Sequence, residues 1–234
     1  MNFSGAKLKC LLLGVIKKIN IKNNTVIKSG DYSFSFNKFV FDQVPSKSTC
    51  LDVGCWTGNL GKLLIKHKNC LVDGIDFKQV VLNKAQRNKY RKTYLMNLNN
   101  EFFDSKLILN KYEVIIFADI LEHLINPGVI LSYFKRYLTP GGQIIISLPN
   151  IAFLLYRIQL LLGQWNYREF GTLDKTHLRF YTIKSGVDMV KAAGFKIVEV
   201  KPYNQFGILR YIWPLDVIFP SLFAYQFMII AKLK

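Results

Sequence analysis

Two short, almost wholly apolar runs constrain the fold of this chain more than any other feature. They are Tyr112–Ala118 (YEVIIFA) and Gln143–Leu148 (QIIISL). Strands buried on both faces of a parallel sheet have this continuous apolar pattern. Strand-like segments alternate with helical ones along the chain, which is typical of βαβ units. The sequence therefore predicts an α/β fold: a Rossmann-like, doubly wound, mostly parallel seven-stranded sheet with helices on both faces. The other predicted strands are 49–53, 70–75, 92–98, 195–200 and 225–232, and the predicted helices within the sheet region are 59–67, 77–87 and 127–137.

The 234 residues are enough for one domain with a sizeable core. We predict an N-terminal extension at 1–45, containing a short basic helix near 7–19, and one domain at 46–234 with an apolar insertion near 151–180. The apolar core of the first twenty residues is too short for a signal peptide, and no run is long enough to span a membrane. None of the four cysteines forms a CxxC pair, which favours free thiols and a cytoplasmic location.

The chain is strongly basic, with 32 Lys and Arg residues against 15 Asp and Glu residues and a formal charge of +17. Such an excess attracts nucleic acid, anionic lipid or phosphorylated ligands. The basic residues are spread along the whole sequence instead of forming an arginine-rich tail, which weakens the case for nucleic acid. A solvated lysine-rich surface accounts for the charge equally well.

A glycine turn follows the first predicted strand, in the sequence Leu51–Gly61 (LDVGCWTGNLG). A phosphate-binding P-loop is excluded because Leu63 follows Gly61-Lys62 and position 56 is Trp, and the dinucleotide pattern GxGxxG is also absent. The remaining pattern is DxGxxxG, formed by Asp52, Gly54 and Gly58. A carboxylate at this point can anchor a cationic group or organise the loop. Asp76 ends the next strand, where a second carboxylate can accept both hydroxyl protons of a ribose.

These motifs resemble class I S-adenosylmethionine (SAM)-dependent methyltransferases, which commonly read LDVGCGTG at this turn. Three further segments are similar to the family: YEVIIFADILEHLINP at 112–127, LTPGGQIIISLPN at 138–150 and DKTHLRFYT at 174–182. The last one resembles a subgroup containing ubiquinone-type O-methyltransferases and bacterial glycan-cluster methyltransferases. The resemblance covers about 49–232 and implies a methyltransferase that uses SAM.

The resemblance also implies roles for individual residues. Asp52, Gly54 and Gly58 form the loop on the methionine side, Asp76 holds the ribose and Phe77 lies against the adenine. Asn97 stands where the family usually has an Asp near the adenine amine, while Ala118 and Asp119 face the methionine moiety and the reaction centre. Trp56 is the main departure, because the family usually has a small residue there. Its side chain narrows the cofactor pocket or points away from it.

Methyl transfer is an in-line displacement, so the protein mainly positions two substrates and removes a proton where the acceptor requires it. His123 and His177 lie in the family-like segments and are the candidate bases, with Asp119 beside the reaction centre. Each histidine is equally compatible with a purely structural role.

A divalent metal is a further prediction from the same residues. Asp119, Glu122 and His123 form a DxxEH pattern, and on a helix the positions i, i+3 and i+4 share one face. Small-RNA terminal 2′-O-methyltransferases have a similar ExxEH segment and a later histidine that together bind a metal, which makes His177 the candidate fourth ligand. The alternative is that Glu122 caps a helix or pairs with a lysine while His123 packs beneath SAM.

Two unusually apolar segments, 151–165 and 205–225, lie where this family builds its acceptor site. They suit a lid over a lipid-like substrate, a membrane-contacting face, a dimer interface or ordinary core helices. We therefore predict O-methylation of a small or lipid-linked acceptor, such as a glycan intermediate or quinone precursor, and peripheral contact with an anionic membrane. The alternatives are an RNA 2′-O-methyltransferase and a non-catalytic SAM-fold binding subunit.

Overall fold

A single seven-stranded sheet organises the protein. The computed structural model describes residues 37–100, 110–204 and 215–234. The strands lie in the order β3-β2-β1-β4-β5-β7-β6, in which β7 runs antiparallel to β5 and β6 and the other pairs are parallel. This arrangement confirms the predicted Rossmann-like, mostly parallel fold. The strands are β1 Thr49–Val53, β2 Leu71–Asp76, β3 Lys92–Leu95, β4 Tyr112–Ala118, β5 Leu138–Pro149, β6 Phe195–Tyr203 and β7 Gln226–Leu233.

The helices of the described residues connect these strands and cover the sheet. They are α1 Lys38–Gln43, α2 Asn59–Lys68, α3 Gln79–Arg87, α4 Pro127–Phe134, α5 Leu154–Leu161, α6 Ile183–Ala192, α7 Leu215–Ile218 and α8 Pro220–Phe223. Two short 3₁₀ segments, Leu121–His123 and Lys135–Tyr137, flank α4. None of the helices in the described ranges has both the length and the hydropathy needed to cross a bilayer.

Alternate residues of the central strands point to two separate cores, because successive side chains of a strand face opposite sides of the sheet. In β4, Ile115 and Phe117 pack with α4 and α6, whereas Val114 and Ile116 pack with α1, α2 and α3. All four side chains are buried. Helices on both faces therefore explain why this strand has no polar side.

The structure differs from the sequence prediction in two of these elements. The predicted turn at 138–142 belongs to β5, where a register irregularity opposite Tyr112 and Val114 accommodates the Pro-Gly-Gly sequence. The predicted helix 127–137 ends at Phe134 and continues only as a 3₁₀ turn.

The N-terminal segment joins the sheet earlier than its sequence indicates. Within the predicted extension 1–45, the described part begins at Asn37 and includes α1, whose Val40 is buried against the sheet together with Val44. The predicted basic helix at 7–19 lies outside the described residues, as does the part of the second apolar segment at 205–214.

Candidate active site

The glycine turn joins β1 to α2 at the carboxyl edge of the sheet. Gly54 and Gly58 adopt φ angles of +74° and +78°, a region that disfavours residues with a Cβ. The Gly54 N–H donates to the Ile75 carbonyl at 2.9 Å, which ties the turn to the end of β2. A Cβ on Gly54 would lie 2.7 Å from the Ile120 side chain, and one on Gly58 would lie 2.8 Å from the Ala85 Cα. Both conformation and space therefore require glycine at these positions.

Asp52 lies beneath this turn and holds its shape. Its side chain is buried, and one carboxylate oxygen accepts a 2.6 Å hydrogen bond from the Tyr90 hydroxyl. The same hydroxyl accepts the Gly61 N–H at 3.0 Å. Burial raises the pKa of Asp52 to about 6, although the Tyr90 hydrogen bond opposes this rise. Of the two roles open to this carboxylate, these contacts favour organising the loop.

Asp76 ends β2 directly beside the turn. It is 6% exposed, and its two carboxylate oxygens accept the Trp56 N–H at 3.0 Å and the Lys78 N–H at 3.1 Å. The carboxylate thus fixes both segments that border it, while its remaining lone pairs are available to hydroxyl donors.

Three exposed side chains, those of Trp56, Phe77 and Lys78, lie together beside the end of β2. The Lys78 ammonium lies 5.3 Å from the centre of the Trp56 ring and 5.0 Å from that of Phe77. The Trp56 side chain is 43% exposed, so it is not packed into the turn, and its φ is +48°. The bulky residue at this position therefore lies at the rim of the site beside Lys78.

Asn97 follows β3 at the same edge. The Met96 N–H donates to the Asp76 carbonyl at 2.9 Å, which places Asn97 close to the end of β2. The Asn97 side chain is exposed and accepts the Asn99 N–H at 3.0 Å, so it also shapes its own turn. The residues predicted to contact the ribose (Asp76) and the adenine (Phe77 and Asn97) therefore come from adjacent strand ends.

Ala118 and Asp119 follow at the carboxyl end of β4, next to β1 in the sheet. Ala118 pairs with Ser147 of β5. One Asp119 oxygen accepts the Ser147 hydroxyl at 2.9 Å and the Gln226 amide at 3.2 Å, and the other accepts the Asn37 amide at 3.2 Å. Desolvation by burial raises the pKa of this carboxyl. Asp119 thus joins α1, β5 and β7 at one point.

The predicted helical face of the DxxEH pattern is wrong. Leu121–His123 form a 3₁₀ turn of three residues, so Asp119, Glu122 and His123 are not stacked at i, i+3 and i+4. The Asp119 backbone has a φ of +52°, and its carboxylate is directed to the donors on α1, β5 and β7. Asp119 consequently lies outside the group of potential metal ligands.

The other three predicted ligands do come together. The potential ligand atoms of Glu122, His123 and His177 all lie within 4.8 Å of one another. His177 Nε2 is 4.0 Å from a Glu122 oxygen, and the two histidine rings are 4.6 Å apart. The Glu122 carbonyl accepts the N–H groups of Leu178 and Arg179 at 2.8 and 3.0 Å, which holds the 174–182 segment against the end of β4.

The ionisation of this cluster is set mainly by burial. Burial raises the pKa of Glu122 well above its usual range and lowers the pKa of His177. Glu122 is 1% exposed, and one of its oxygens has no hydrogen-bond partner among the described residues. The Nδ1 atoms lie near carbonyl oxygens, 3.0 Å from Thr172 for His177 and 3.2 Å from Thr176 for His123. With Nδ1 protonated, both Nε2 atoms are free to accept a proton or bind a cation.

Four residues of the site were not found from the sequence. Asn37, Ser147 and Gln226 hold Asp119, and Tyr90 holds Asp52. Their partners are 28 to 107 residues away in the chain, and no local pattern marks such contacts. The only local signal belongs to Asn37, whose side chain caps the N-terminus of α1 by accepting the Val40 N–H.

The curated relatives of the chain include ubiquinone biosynthesis O-methyltransferases. The protein of this name from Coxiella burnetii is 22% identical over 185 residues, which cover 74% of this chain and 77% of the relative. The one from Pasteurella multocida is 30% identical over 111 residues, covering 43% of this chain and 46% of the relative.

Solved structures share the fold at low sequence identity. A SAM-dependent methyltransferase from Mesorhizobium loti has a TM-score of 0.59 at 13% identity, covering 83% of this chain and 95% of the other. Magnesium protoporphyrin IX methyltransferase from Synechocystis, solved with bound SAM, has a TM-score of 0.52 at 14% identity, with 84% and 76% covered. A methyltransferase-domain family model matches residues 33–200, well over half of the chain. The chain therefore belongs to the methyltransferase-domain family and is a SAM-dependent methyltransferase.

Proposed function

We propose that this enzyme transfers the methyl group of SAM to a hydroxyl oxygen of a small or lipid-linked acceptor. The observation that carries the proposal is a set of exposed apolar side chains on two short helices, α5 and α7, which both lie in the segments between β5 and β7. Leu161 is 86% exposed, and Val217 and Ile218 are each 59% exposed. Exposed apolar surface of this kind marks a site for apolar ligands or a membrane. The names of the ubiquinone O-methyltransferase relatives support an acceptor of this class.

In this proposal the cofactor lies across the carboxyl ends of β1, β2 and β4, at the point where the strand order reverses. Gly54 and Gly58 allow its methionine part to approach the backbone, and Asp76 accepts the ribose hydroxyls. The remaining contacts come from residues at the same edge: Asp52 beneath the loop, Trp56, Phe77 and Asn97 on the adenine side, and Ala118 and Asp119 on the methionine side.

Calorimetric titration with SAM tests this placement. Asp76→Ala removes both ribose hydrogen bonds, and a hydrogen bond to a charged group contributes roughly 1.5–3 kcal/mol. The affinity for SAM should therefore fall at least about tenfold. Asp188→Ala, at an exposed surface pair with Lys184, is the matched control and should bind SAM like the wild type. Equal affinity in the wild type and Asp76→Ala would exclude the assignment.

The cluster of Glu122, His123 and His177 is proposed as the catalytic end of the site. Two imidazole nitrogens and a carboxylate are a donor set that suits zinc, iron or manganese, and the unpartnered Glu122 oxygen fits a cation in this position. A bound metal would lower the pKa of the acceptor hydroxyl. Thr172 and Thr176 would fix the ring orientation of the histidines through their Nδ1 atoms. Without a metal, His123 serves as the general base.

Chelation distinguishes these two versions. If the cluster binds a catalytic metal, activity should be lost in chelator and restored by magnesium, manganese or zinc. Calorimetry should then also show that His177→Ala no longer binds the metal. Full activity in chelator, with His177→Ala unimpaired, excludes a catalytic metal and leaves His123 as the base.

Peripheral contact with an anionic membrane follows from the same exposed apolar side chains and from the charge of +17. Anionic lipid contributes about 1 kcal/mol for each Lys or Arg near the surface. The protein should co-sediment with anionic vesicles at low salt and dissociate as salt rises, because screening weakens the attraction. Equal sedimentation with anionic and neutral vesicles would contradict this part of the proposal.

An RNA acceptor is the second candidate, and one surface favours it. Between residues 59 and 95 eight Lys and Arg side chains are exposed, whereas both acids of this stretch, Asp73 and Asp76, are buried. A stretch whose exposed charges are all basic suits contacts to a phosphate backbone. The enzyme can be incubated with labelled SAM and, in separate reactions, with the lipid, small-molecule and RNA fractions of a cell extract. The fraction that takes up the label decides between the candidates.

A further inference from the structure

An open groove borders the cluster proposed as the catalytic end of the site. It has a volume of about 470 Å³ and is lined by residues of the segments 125–129 and 179–189, which include the starts of α4 and α6. Both segments continue directly from those that carry the cluster. The Glu122 carbonyl joins them by accepting the Arg179 N–H at 3.0 Å. None of the groove residues is among those proposed to hold the cofactor, so the groove is a separate cavity next to the cluster.

The walls of the groove are mainly apolar, whereas its charge is positive. Ile125 and Val129 are 49% and 62% exposed, and Phe180 and Met189 also line the groove. Among its lining residues in the described chain, Arg179 is the one with a formal charge. Ligand pockets of this size commonly combine apolar walls with a few polar groups that fix orientation. The combination suits a ligand with an apolar body and an anionic group.

The Arg179 guanidinium is exposed and only partly occupied by protein contacts. One of its N–H groups donates to the Ile125 carbonyl at 2.7 Å, which holds the side chain at the groove. Within the part of the chain that the structure describes, it forms no ion pair. A guanidinium presents several N–H donors in one plane and can bind a carboxylate or phosphate through two of them. Its remaining donors are therefore available to an anion.

Tyr181 adds a second donor to the same groove. The residue is 7% exposed, and its hydroxyl has no hydrogen-bond partner among the described residues. Burial raises the pKa of Tyr181 to about 12, and Glu122 adds to this rise while Arg179 opposes it. The hydroxyl is thus within electrostatic reach of both the cluster and the guanidinium. Because a largely buried polar group without a partner costs free energy, an acceptor atom in the groove would stabilise it.

α4 begins at the groove without a cap. The side chain of Asn126 makes no capping hydrogen bond, and the first turn of the helix has no acid. The first N–H groups of a helix have no partners within it and carry partial positive charge. A Cβ on Gly128 would meet no atom of the described chain within 4 Å, so this start of the helix is open to a ligand.

We propose that the groove binds the carboxylate or phosphate group of an amphiphilic acceptor, whose hydroxyl reaches the neighbouring cluster for methylation. Arg179 and Tyr181 donate to the anion, the uncapped start of α4 adds its partial charge, and the apolar walls contact the body of the ligand. That this ligand is the acceptor rests on the proposed function, whereas binding of an amphiphilic anion does not.

Hexyl phosphate, with an apolar chain and an anionic head, is a probe for the groove, and hexanol is its neutral counterpart. In a heteronuclear NMR titration of the wild type, amide signals of 125–129 and 179–189 should shift with hexyl phosphate and much less with hexanol. Tyr181→Phe should weaken the binding of hexyl phosphate about tenfold, since it removes a hydrogen bond to a charged group. Inorganic phosphate that binds as tightly as hexyl phosphate would contradict the role of the apolar walls.

Gly128→Glu and Gly128→Gln form a matched pair at the open helix start. An acid in the first turn of a helix is favourable, so the Glu variant should fold like the wild type. Its negative charge should weaken the binding of hexyl phosphate at least about fivefold relative to Gly128→Gln, a neutral side chain of similar size. Both variants should bind SAM like the wild type. Equal binding of hexyl phosphate by the two variants would overturn the assignment of the groove.

Vesicle sedimentation distinguishes a free ligand from a lipid headgroup. Both Gly128 variants should sediment with anionic vesicles to the same extent. A loss confined to Gly128→Glu would mean that a lipid headgroup fills the groove, which would overturn its role in acceptor binding.

The role of the groove in methylation is tested with labelled SAM and the small-molecule and lipid fractions of a cell extract. The labelled products should be retained on an anion-exchange resin, and Gly128→Glu should form them more slowly than Gly128→Gln when the extract is dilute. Label found only in neutral products would overturn this inference and leave the proposed O-methylation standing. If no fraction is labelled, the proposed function fails, while the hexyl phosphate titration still decides whether the groove binds an amphiphilic anion.

Discussion

Replacing Asp52 by Asn should stabilise the protein at neutral pH. The Asp52 carboxyl is 2% exposed, and burial raises its pKa to about 6 from a usual value of 3.8. The unfolded chain therefore ionises this group more readily than the folded one does. The stability that the group contributes is present below pH 4 and is lost as the pH rises through 6. An Asn, which resembles the protonated acid, avoids this loss and can still accept the Tyr90 hydroxyl.

The size of the effect follows from the two pKa values. Relative to its value at low pH, the free energy of unfolding is lower by about 3 kcal/mol at pH 7.5 and by about 1.6 kcal/mol at pH 5, because the folded Asp52 ionises less readily than the unfolded one. The gain from Asp52→Asn should therefore grow by about 1.4 kcal/mol between these pH values. The other titrating groups are common to both proteins, so they largely cancel in the comparison.

Urea denaturation of the wild type and Asp52→Asn at pH 5, 6 and 7.5 measures this difference directly. The free energies of unfolding should diverge as the pH rises, with the variant the more stable. A variant that is less stable at pH 7.5, or a difference that is the same at all three pH values, would refute the reasoning. Measuring SAM affinity on the same samples shows whether the charge is kept for cofactor binding at a cost in stability.

Three further substitutions, with a fourth in α4 as a control, test the glycine turn and its surroundings. Gly61→Ala should destabilise the protein by more than about 1 kcal/mol, because the new Cβ would overlap the buried Tyr90 ring. The control Gly128→Ala has open space at a helical position and should stabilise the protein by about 0.5–1 kcal/mol. Thermal unfolding of the two variants and the wild type measures both changes. Tyr90→Phe should lower the free energy of unfolding by about 2 kcal/mol in urea denaturation at pH 7.5, because the loss of the Tyr90 hydroxyl leaves the Asp52 carboxylate unpartnered. The loss should be smaller in the Asp52→Asn background, where no charged carboxylate is left unpartnered. Trp56→Gly should change the SAM affinity measured by calorimetry by less than about threefold, because the indole lies at the rim; a much larger gain would mean that it narrows the pocket.

The sheet was predictable because its central strands are buried on both faces. β1 and β4 were placed at their observed bounds, Thr49–Val53 and Tyr112–Ala118, since each is an apolar run next to a turn or polar segment. β3 ends at Leu95, three residues earlier than predicted. It is an edge strand with one neighbour, so its apolar pattern is weaker and its end is set by pairing with β2.

The candidate site was predictable only where its residues are set by local sequence. The glycine turn and Asp76 follow directly from strand ends, because a parallel sheet collects its carboxyl ends at one edge. The cluster of Glu122, His123 and His177 was found by analogy between motifs, yet the helix assumed for the first two was wrong. What brings His177 to Glu122 is backbone pairing of the 174–182 segment with the Glu122 carbonyl, a contact across more than fifty residues.

Asp119 shows why side-chain direction is harder to predict than position. The sequence placed it correctly after β4, but a helical turn would have directed its carboxylate toward Glu122. The left-handed backbone at φ +52° directs it instead to Asn37, Ser147 and Gln226. A non-glycine residue adopts this conformation only where surrounding contacts outweigh the strain, and here those contacts come from α1, β5 and β7. The same three donors take Asp119 away from the histidine cluster, so the motif-based prediction of a metal ligand at this residue fails because of contacts that no local pattern marks.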